Sequence, residues 1–272
     1  MESFDRSFGY WSVAEGITAI ETPGKSFGPG KVPGTGHVMA YLIEGEEKAV
    51  LWDNGYGNGN IRALVQKLTD LPVMAVNSHN HLDHNGCNPL FEEVWIGEHE
   101  DGLDKPAFPA DERIPGGVDE AVKNGGPYIW RLLKDGDVID LGGRTLRIIE
   151  VPGHTRGSIT ALDSKTGWLI SGDAVLKRVL LNLPLRVYRE ALERLDTFDF
   201  TRILPAHYDR PLDRGQVRRL ISLIDRFELR KCEEAVWHGG GKMLVFRSGN
   251  SFDDPEFAAI GFFDRNIETV LS

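Results

Sequence analysis

Short apolar runs separated by glycine and charge dominate the first part of the chain. ITAIET (17–22), HVMAYLIEG (37–45) and KAVLWDNG (48–55) are rich in β-branched or apolar residues, a pattern that predicts three strands. A helix follows: Ile61, Leu64, Val65 and Leu68 recur at i, i+3, i+4 and i+7 behind Asn60, whose short polar side chain suits an N-cap. LPVMAVNSH (71–79) then reads as a buried strand ending on polar residues, and EVWIG (93–97) as the next. Strand, helix, strand is the unit that covers a sheet with helices.

Residues 101–130 change character. Dense in Pro, Gly and acid, they predict a long excursion with a short helix around 118–123, and loops of that length are usually functional. The strand pattern returns in DVIDLGG (137–143), RTLRIIEVPGH (144–154), SITALD (158–163) and GWLISGD (167–173). Tyr188, Ala191, Leu192, Leu195 and Phe198 mark one helix, RILPAH (202–207) a strand, and Val217, Leu220, Ile221, Ile224 and Phe227 a second helix. The tail 237–272 carries two strand-like pieces, MLVFRS (243–248) and AAIGFF (258–263). No repeat of fixed short period is visible, but each half runs from several strands into one that ends on residues of metal-ligand type.

Composition narrows the partners. At 272 residues the chain can bury a substantial core, and one domain spanning 1–272 is expected because candidate ligands from 79 to 207 must converge. A formal charge of −10 with no Lys/Arg run disfavours nucleic acid and anionic membranes, and favours a small-molecule substrate. Cys87 and Cys232 are the only cysteines, which implies no disulfide framework and makes a reducing cytoplasm the default. The start, MESFDRSFGYW, lacks the basic and apolar regions of a leader, and no apolar run approaches bilayer length. Composition leaves a homo-oligomer open.

The chemistry concentrates in S-H-N-H-L-D-H (78–84), where His79, His81, Asp83 and His84 lie directly after an apolar run. A strand alternates its side chains, so 79 and 81 can point one way while the following turn swings Asp83 and His84 toward a second point nearby. That arrangement suits two metals. Imidazole and carboxylate accept Zn²⁺, Fe or Mn, and with no cysteine in the cluster zinc is the first choice.

H-x-H-x-D-H resembles the signature of the metallo-β-lactamase superfamily. Further pieces look like that family's other motifs, in order: W-D-N-G (52–55), V-P-G-H-T-R-G-S (151–158), S-G-D (171–173) and P-A-H (205–207). The resemblance runs from about residue 37 to 210 and implies a four-layer αβ/βα sandwich, an α/β (α+β) fold with two mixed sheets face to face. It also implies that His79, His81 and His154 hold one metal, that Asp83, His84 and His207 hold the other, and that Asp173 bridges them. Asp53 is then a residue that orients the cluster.

Other conspicuous residues have plainer readings. His37 is expected at a strand start, His99 and His238 in solvent, and Cys87 as a small buried thiol. The glycine-rich 23–36 fails the spacing of a phosphate-binding loop in every register and reads as a loop beside the cleft. Trp237, Phe246, Phe252, Phe257, Phe262 and Phe263 read as ordinary core.

Two divalent ions about 3.5–4 Å apart lower the pKa of a shared water toward about 7, so the expected reaction is hydrolysis by a bridging hydroxide, with Asp83 passing the proton. Within the family the presence of both His84 and Asp173 points away from β-lactamases and toward thioesterases, lactonases and phosphodiesterases. DAVLKRVLLNLP (173–184) lacks the Gly-Cys-Gly-basic stretch of glyoxalase II, and Leu176 stands near the bridging Asp where quorum-sensing lactonases place a Tyr. A lactone or thioester of a small molecule is therefore the expected substrate. Phosphodiesters rank behind it for want of a basic clamp, and β-lactam opening is a side activity. A mononuclear-iron sulfur dioxygenase is the competing oxidoreductase reading. The segment 101–130, with Phe108, Tyr128 and Trp130, is expected to overhang the metals and form the substrate pocket, with the loop 23–36 and the C-terminal tail as further contributors.

Overall fold

The computed structural model describes residues 8–22, 38–103, 118–236, 242–249 and 251–272. Its first part lays down β1 (Gly9–Ala14), β2 (Ile17–Thr22), β3 (Val38–Glu44), β4 (Ala49–Trp52), α1 (Ile61–Leu68), β5 (Val73–Val76), α2 (Leu82–Asn85), β6 (Glu93–Gly97), α3 (Glu120–Lys123) and β7 (Ile129–Leu133). The seven strands pair in sequence order into one sheet. β1 to β4 are antiparallel hairpins, whereas β4 to β7 run parallel and so need crossovers, which carry α1, α2 and α3.

The rest of the chain adds β8 (Val138–Asp140), β9 (Thr145–Glu150), β10 (Ile159–Asp163), β11 (Trp168–Gly172), β12 (Arg178–Leu180), α4 (Leu185–Asp196), β13 (Arg202–Pro205), β14 (Leu212–Asp213) and α5 (Gly215–Asp225). It ends with β15 (Glu233–Val236), β16 (Lys242–Ser248), β17 (Ala258–Phe263) and α6 (Ile267–Leu271). A second, six-stranded sheet has the order β14-β13-β11-β10-β9-β8, and a third the order β12-β17-β16-β15.

Side-chain alternation along the strands produces the layers. In β3, Tyr41 and Ile43 face inward with Trp52 and Val76, where they meet Ile148, Ile159, Ile170 and Leu204 of the second sheet. Leu42 and Leu51 point the other way, against Ile61, Leu64 and Val65 of α1. On the far side, Ile149, Leu169 and Ile203 meet Tyr188, Leu192 and Leu195 of α4 and Leu220 and Ile224 of α5. Helix, sheet, sheet, helix is the four-layer sandwich that the motifs imply. Among the described residues no helix is long and apolar enough to cross a membrane.

The differences from the expected elements have local causes. The excursion ends early, because Ile129–Leu133 pairs in parallel with β6 as an edge strand and Tyr128 packs edge-on against Trp130 at 5.0 Å. Flanking glycines hide this short alternation in the sequence. β14 has two residues and β15 reads Glu-Glu-Ala-Val, too short or too charged to register as strands. β12 sits inside the unbroken run 177–181 and pairs not with its neighbours in the chain but with β17. The tail thus builds a sheet of its own: Phe246, Ala258 and Ile260 join the core under α4 and α5, while Met243, Val245, Phe257 and Ala259 pack on the opposite face.

Candidate metal centre

Every candidate ligand follows the end of a strand, and the strands end at one rim of the sandwich. Asp53 follows β4, His79 to His84 follow β5, His154 follows β9, Asp173 follows β11 and His207 follows β13. Bonds across the two sheets draw these ends together. Tyr41 Oη donates to Pro205 O at 2.8 Å, Met39 N to Ala206 O at 2.7 Å, and Ile159 N to Ser78 O at 2.9 Å. Gly172, at φ +52, lets the backbone before Asp173 touch Ser78. A Cβ there would lie 2.4 Å from Ser78 Oγ, so only glycine meets both demands.

The result is one cluster with two halves. His154 Nε2 lies 3.2 Å from His79 Nε2 and 2.9 Å from His81 Nδ1. Asp83, His84 and His207 form the other half, with Asp83 Oδ2 3.5 Å from His84 Nε2 and 3.3 Å from His207 Nε2. Asp173 stands between the halves: one oxygen is 3.4 Å from His154 Nε2 and 3.3 Å from His207 Nε2, the other 3.5 Å from His84 Nε2.

Neighbouring groups fix which nitrogen each imidazole presents. Asp53, the only non-glycine residue with positive φ among those described, accepts from Ser78 N at 2.7 Å, from Ser78 Oγ at 2.9 Å and from His84 Nδ1 at 2.9 Å. Because the Ser78 hydroxyl proton is committed to Asp53, Ser78 Oγ accepts from His79 Nδ1, 3.0 Å away. His154 Nδ1 donates to Leu180 O at 2.6 Å. His79 and His154 therefore turn a bare Nε2 inward, and His84 aims its Nε2 the same way. Sequence reasoning gave no role to Ser78 or to the Leu180 carbonyl. Ser78 adjoins the cluster and was legible in principle, whereas a backbone carbonyl leaves no trace in residue type.

Charge divides along the same line. Burial first, and then the neighbouring histidines, hold His79 well below its usual range and His81 down to about 4; burial also lowers His154. Burial opposes charge in the other half too, but the carboxylates outweigh it. Asp83, Asp53 and Asp173 lift His84 well above its usual range, and Asp173 and Asp83 lift His207 to about 10. Reciprocally, against the cost of burial, His84 and His207 hold Asp83 and Asp173 well below the usual carboxylate range.

This donor set fits divalent metals. His84 Nε2 and Asp173 Oδ1 are buried with no hydrogen-bond partner, and lone pairs of His79 and His154 face each other at 3.2 Å, an arrangement that a shared cation relieves. The donors are imidazole and carboxylate without sulfur, the chemistry of Zn, Fe or Mn.

The surroundings bear on the remaining expectations. Tyr56 lies close enough to the centre that burial, Asp83 and Asp173 all push its phenol up, so it stays protonated, although the sequence reading passed it over. Glu100 accepts from Thr155 Oγ1 at 2.7 Å. Cys87 is buried with its thiol 3.2 Å from Gly59 O, and burial pushes it up to about 12. His99 is half-exposed and pairs with Glu150 at 2.8 Å. Phe246, Phe257 and Phe262 are buried, and Phe252 and Phe263 pack beside them. His37, the loop 23–36, Phe108, Trp237 and His238 lie outside the described residues.

A sequence profile of the metallo-β-lactamase superfamily matches residues 33–207, well over half of the chain. The chain belongs to the metallo-β-lactamase superfamily. Among curated proteins it is 28% identical over 236 residues to acyl-coenzyme A thioesterase MBLAC2 of Homo sapiens, covering 78% of this chain and 77% of that one. The Bos taurus protein of the same name is 29% identical over the same length. Among solved structures, a metallo-β-lactamase family protein of Thermus thermophilus superposes with a TM-score of 0.59 at 23% identity, covering 78% of this chain and 80% of that one. A metallo-β-lactamase of Pontibacter korlensis gives 0.60 at 19% identity, covering 81% and 100%. These two likenesses show the fold.

Proposed function

We propose that the chain is a metal-dependent hydrolase that cleaves a carbonyl-centred ester of a small molecule, foremost a thioester, at a two-cation centre. His79, His81 and His154 would hold one cation and Asp83, His84 and His207 the other, with Asp173 common to both. The observation that carries this reading is the position of Asp173, whose two oxygens lie within 3.5 Å of His154, His84 and His207. Thioesters are preferred over lactones because the curated relatives at 28–29% identity are named acyl-coenzyme A thioesterases.

Bound divalent ions supply an activated water and a Lewis acid for the carbonyl oxygen, zinc being the first choice over Fe or Mn. The chain's own residues do the rest. Asp83, a carboxylate that keeps partial exposure, takes the proton from the attacking water and returns it to the leaving thiolate. Water oxygen bonds the acyl carbon as the carbon–sulfur bond breaks, and a carboxylate and a thiol leave. Asp53 works at one remove, by aiming His84 directly and His79 through Ser78.

The test loads the protein with zinc and screens thioesters, lactones, β-lactams and phosphodiesters, with Asp83→Asn alongside. The expected outcome is two metal equivalents per chain, turnover of thioesters, and a loss of at least about 100-fold in the variant. Turnover of phosphodiesters alone, or wild-type rates on every ester in Asp83→Asn, defeats the proposal. One iron per chain with consumption of oxygen points to the dioxygenase instead.

A further inference from the structure

The superfamily match stops at residue 207, yet the chain continues through a third sheet and α6 to Ser272. That sheet touches the candidate centre. β12 pairs in parallel with β17 in the register Arg178 with Ala259, Val179 with Ile260 and Leu180 with Gly261. Ala259 N donates to Lys177 O and Leu181 N to Gly261 O, both at 2.8 Å. A strand of three residues has no stability of its own, so its place depends on β17.

The other side of β12 faces His154. Leu180 O accepts from His154 Nδ1 at 2.6 Å. A carbonyl only accepts, so Nδ1 must carry the proton and Nε2 is left bare toward the centre. Two residues further on, Asn182 N donates to Gly153 O at 3.0 Å and Asn182 Nδ2 to the His154 carbonyl at 2.7 Å. The Asn182 oxygen is itself filled by Asn266 Nδ2 at 2.9 Å, from the turn between β17 and α6. Both amides are committed in one orientation: Asn266 donates to Asn182, and Asn182 donates to His154. The tail thereby holds in place β12 and Asn182, whose groups bond both the ring and the backbone of one candidate ligand.

We infer that the segment 242–272 is a working part of the metal centre: β17 and the Asn266–Asn182 relay fix the tautomer and aim of His154, and both asparagines are positioning residues for metal binding. The inference rests on reading His154 as a ligand. Groups that orient a ligand in this way typically govern metal affinity by about 10- to 100-fold. Coupling is reciprocal, so metal bound at His154 must in turn tighten the docking of the tail.

The experiment titrates zinc, against a competing chelator, into the metal-free full chain and into Asn182→Ala, Asn266→Ala and the double variant. Thermal unfolding of each metal-free protein serves as the control for folding. The expected result is an affinity loss of about 10-fold in each single variant, no larger loss in the double variant because the relay acts as a unit, and activity restored by excess zinc. Variants that fold and bind zinc within about two-fold of wild type overturn the inference while leaving the centre itself intact. A wild-type chain that binds no zinc overturns both. If the variants do not fold, hydrogen exchange on the wild-type chain decides: zinc should slow exchange of the Leu181 and Ala259 amides, and unchanged exchange there overturns the relay.

Discussion

At the scale of single residues, the centre depends on side chains that hold its candidate ligands rather than on those ligands alone. Glu100 is one such residue. Burial lifts its carboxyl from 4.5 to about 7, against the opposing hydrogen bond from Thr155 and the backbone amides of Asn80 and Gly157. Those partners lie on the two loops that carry His79, His81 and His154. A carboxyl raised in the folded state keeps its proton there while the unfolded chain has lost it. Stability is therefore lost as pH rises from about 4.5 to about 7. Glu100→Gln removes that titration. In chelator, denaturant unfolding at pH 5 and pH 8 should show the variant gaining on wild type by up to about 3 kcal/mol across the interval. Parallel pH profiles for the two proteins would mean that Glu100 is no more strained than a surface carboxylate.

At the scale of elements, α2 shows how little secondary structure a site needs when tertiary contacts hold it. It has four residues, too few to persist alone, and it carries Asp83 and His84. Its C-terminal end is pressed against the loop after β4, with Gly86 N donating to Gly55 O at 2.7 Å and Asn54 N to His84 O at 2.9 Å. Gly86 has an ordinary helical φ of −60, so its backbone does not call for glycine. Space does: a Cβ would lie 2.2 Å from the carbonyl carbon of Tyr56. Gly86→Ala should push α2 off that loop, lowering stability by about 1–3 kcal/mol and reducing the metal held per chain. Thermal unfolding and metal analysis check this together, and normal values for both would show that the loop yields freely. By contrast, α1 matches the expected pattern, with Asn60 accepting from Ala63 N at 2.9 Å and Ile61, Leu64 and Val65 buried.

At the scale of the whole molecule, one buried ion pair ties the sheets together far from the rim. Arg144, 2% exposed, meets Asp163 through two bonds of 2.7 and 2.8 Å. Its remaining nitrogen donates to the carbonyls of Glu15, Gly16 and Glu44, at the ends of β1, β2 and β3. Arg144→Ala would leave a buried carboxylate without its cation and take a donor from the Glu15 and Glu44 carbonyls, at about 3–5 kcal/mol. The midpoint of urea unfolding should fall accordingly, and a loss below about 1 kcal/mol would show that water replaces the guanidinium.

Much was legible from local pattern alone. Strand patterning located β2 to β6, β8 to β11, β13, β16 and β17, helical spacing located α1, α4 and α5, and the run 78–84 grouped four candidate ligands because they are near in sequence and follow an apolar strand. His154, Asp173 and His207 entered only through resemblance. Tertiary structure decided the rest. Which nitrogen each histidine presents depends on Ser78, Asp53 and a carbonyl of β12, contacts between residues up to 31 positions apart. β12 itself exists because β17, some eighty residues later, pairs with it. Sequence pattern records what a segment prefers locally. It does not record which distant backbone completes a three-residue strand, and here that distant partner fixes the aim of His154.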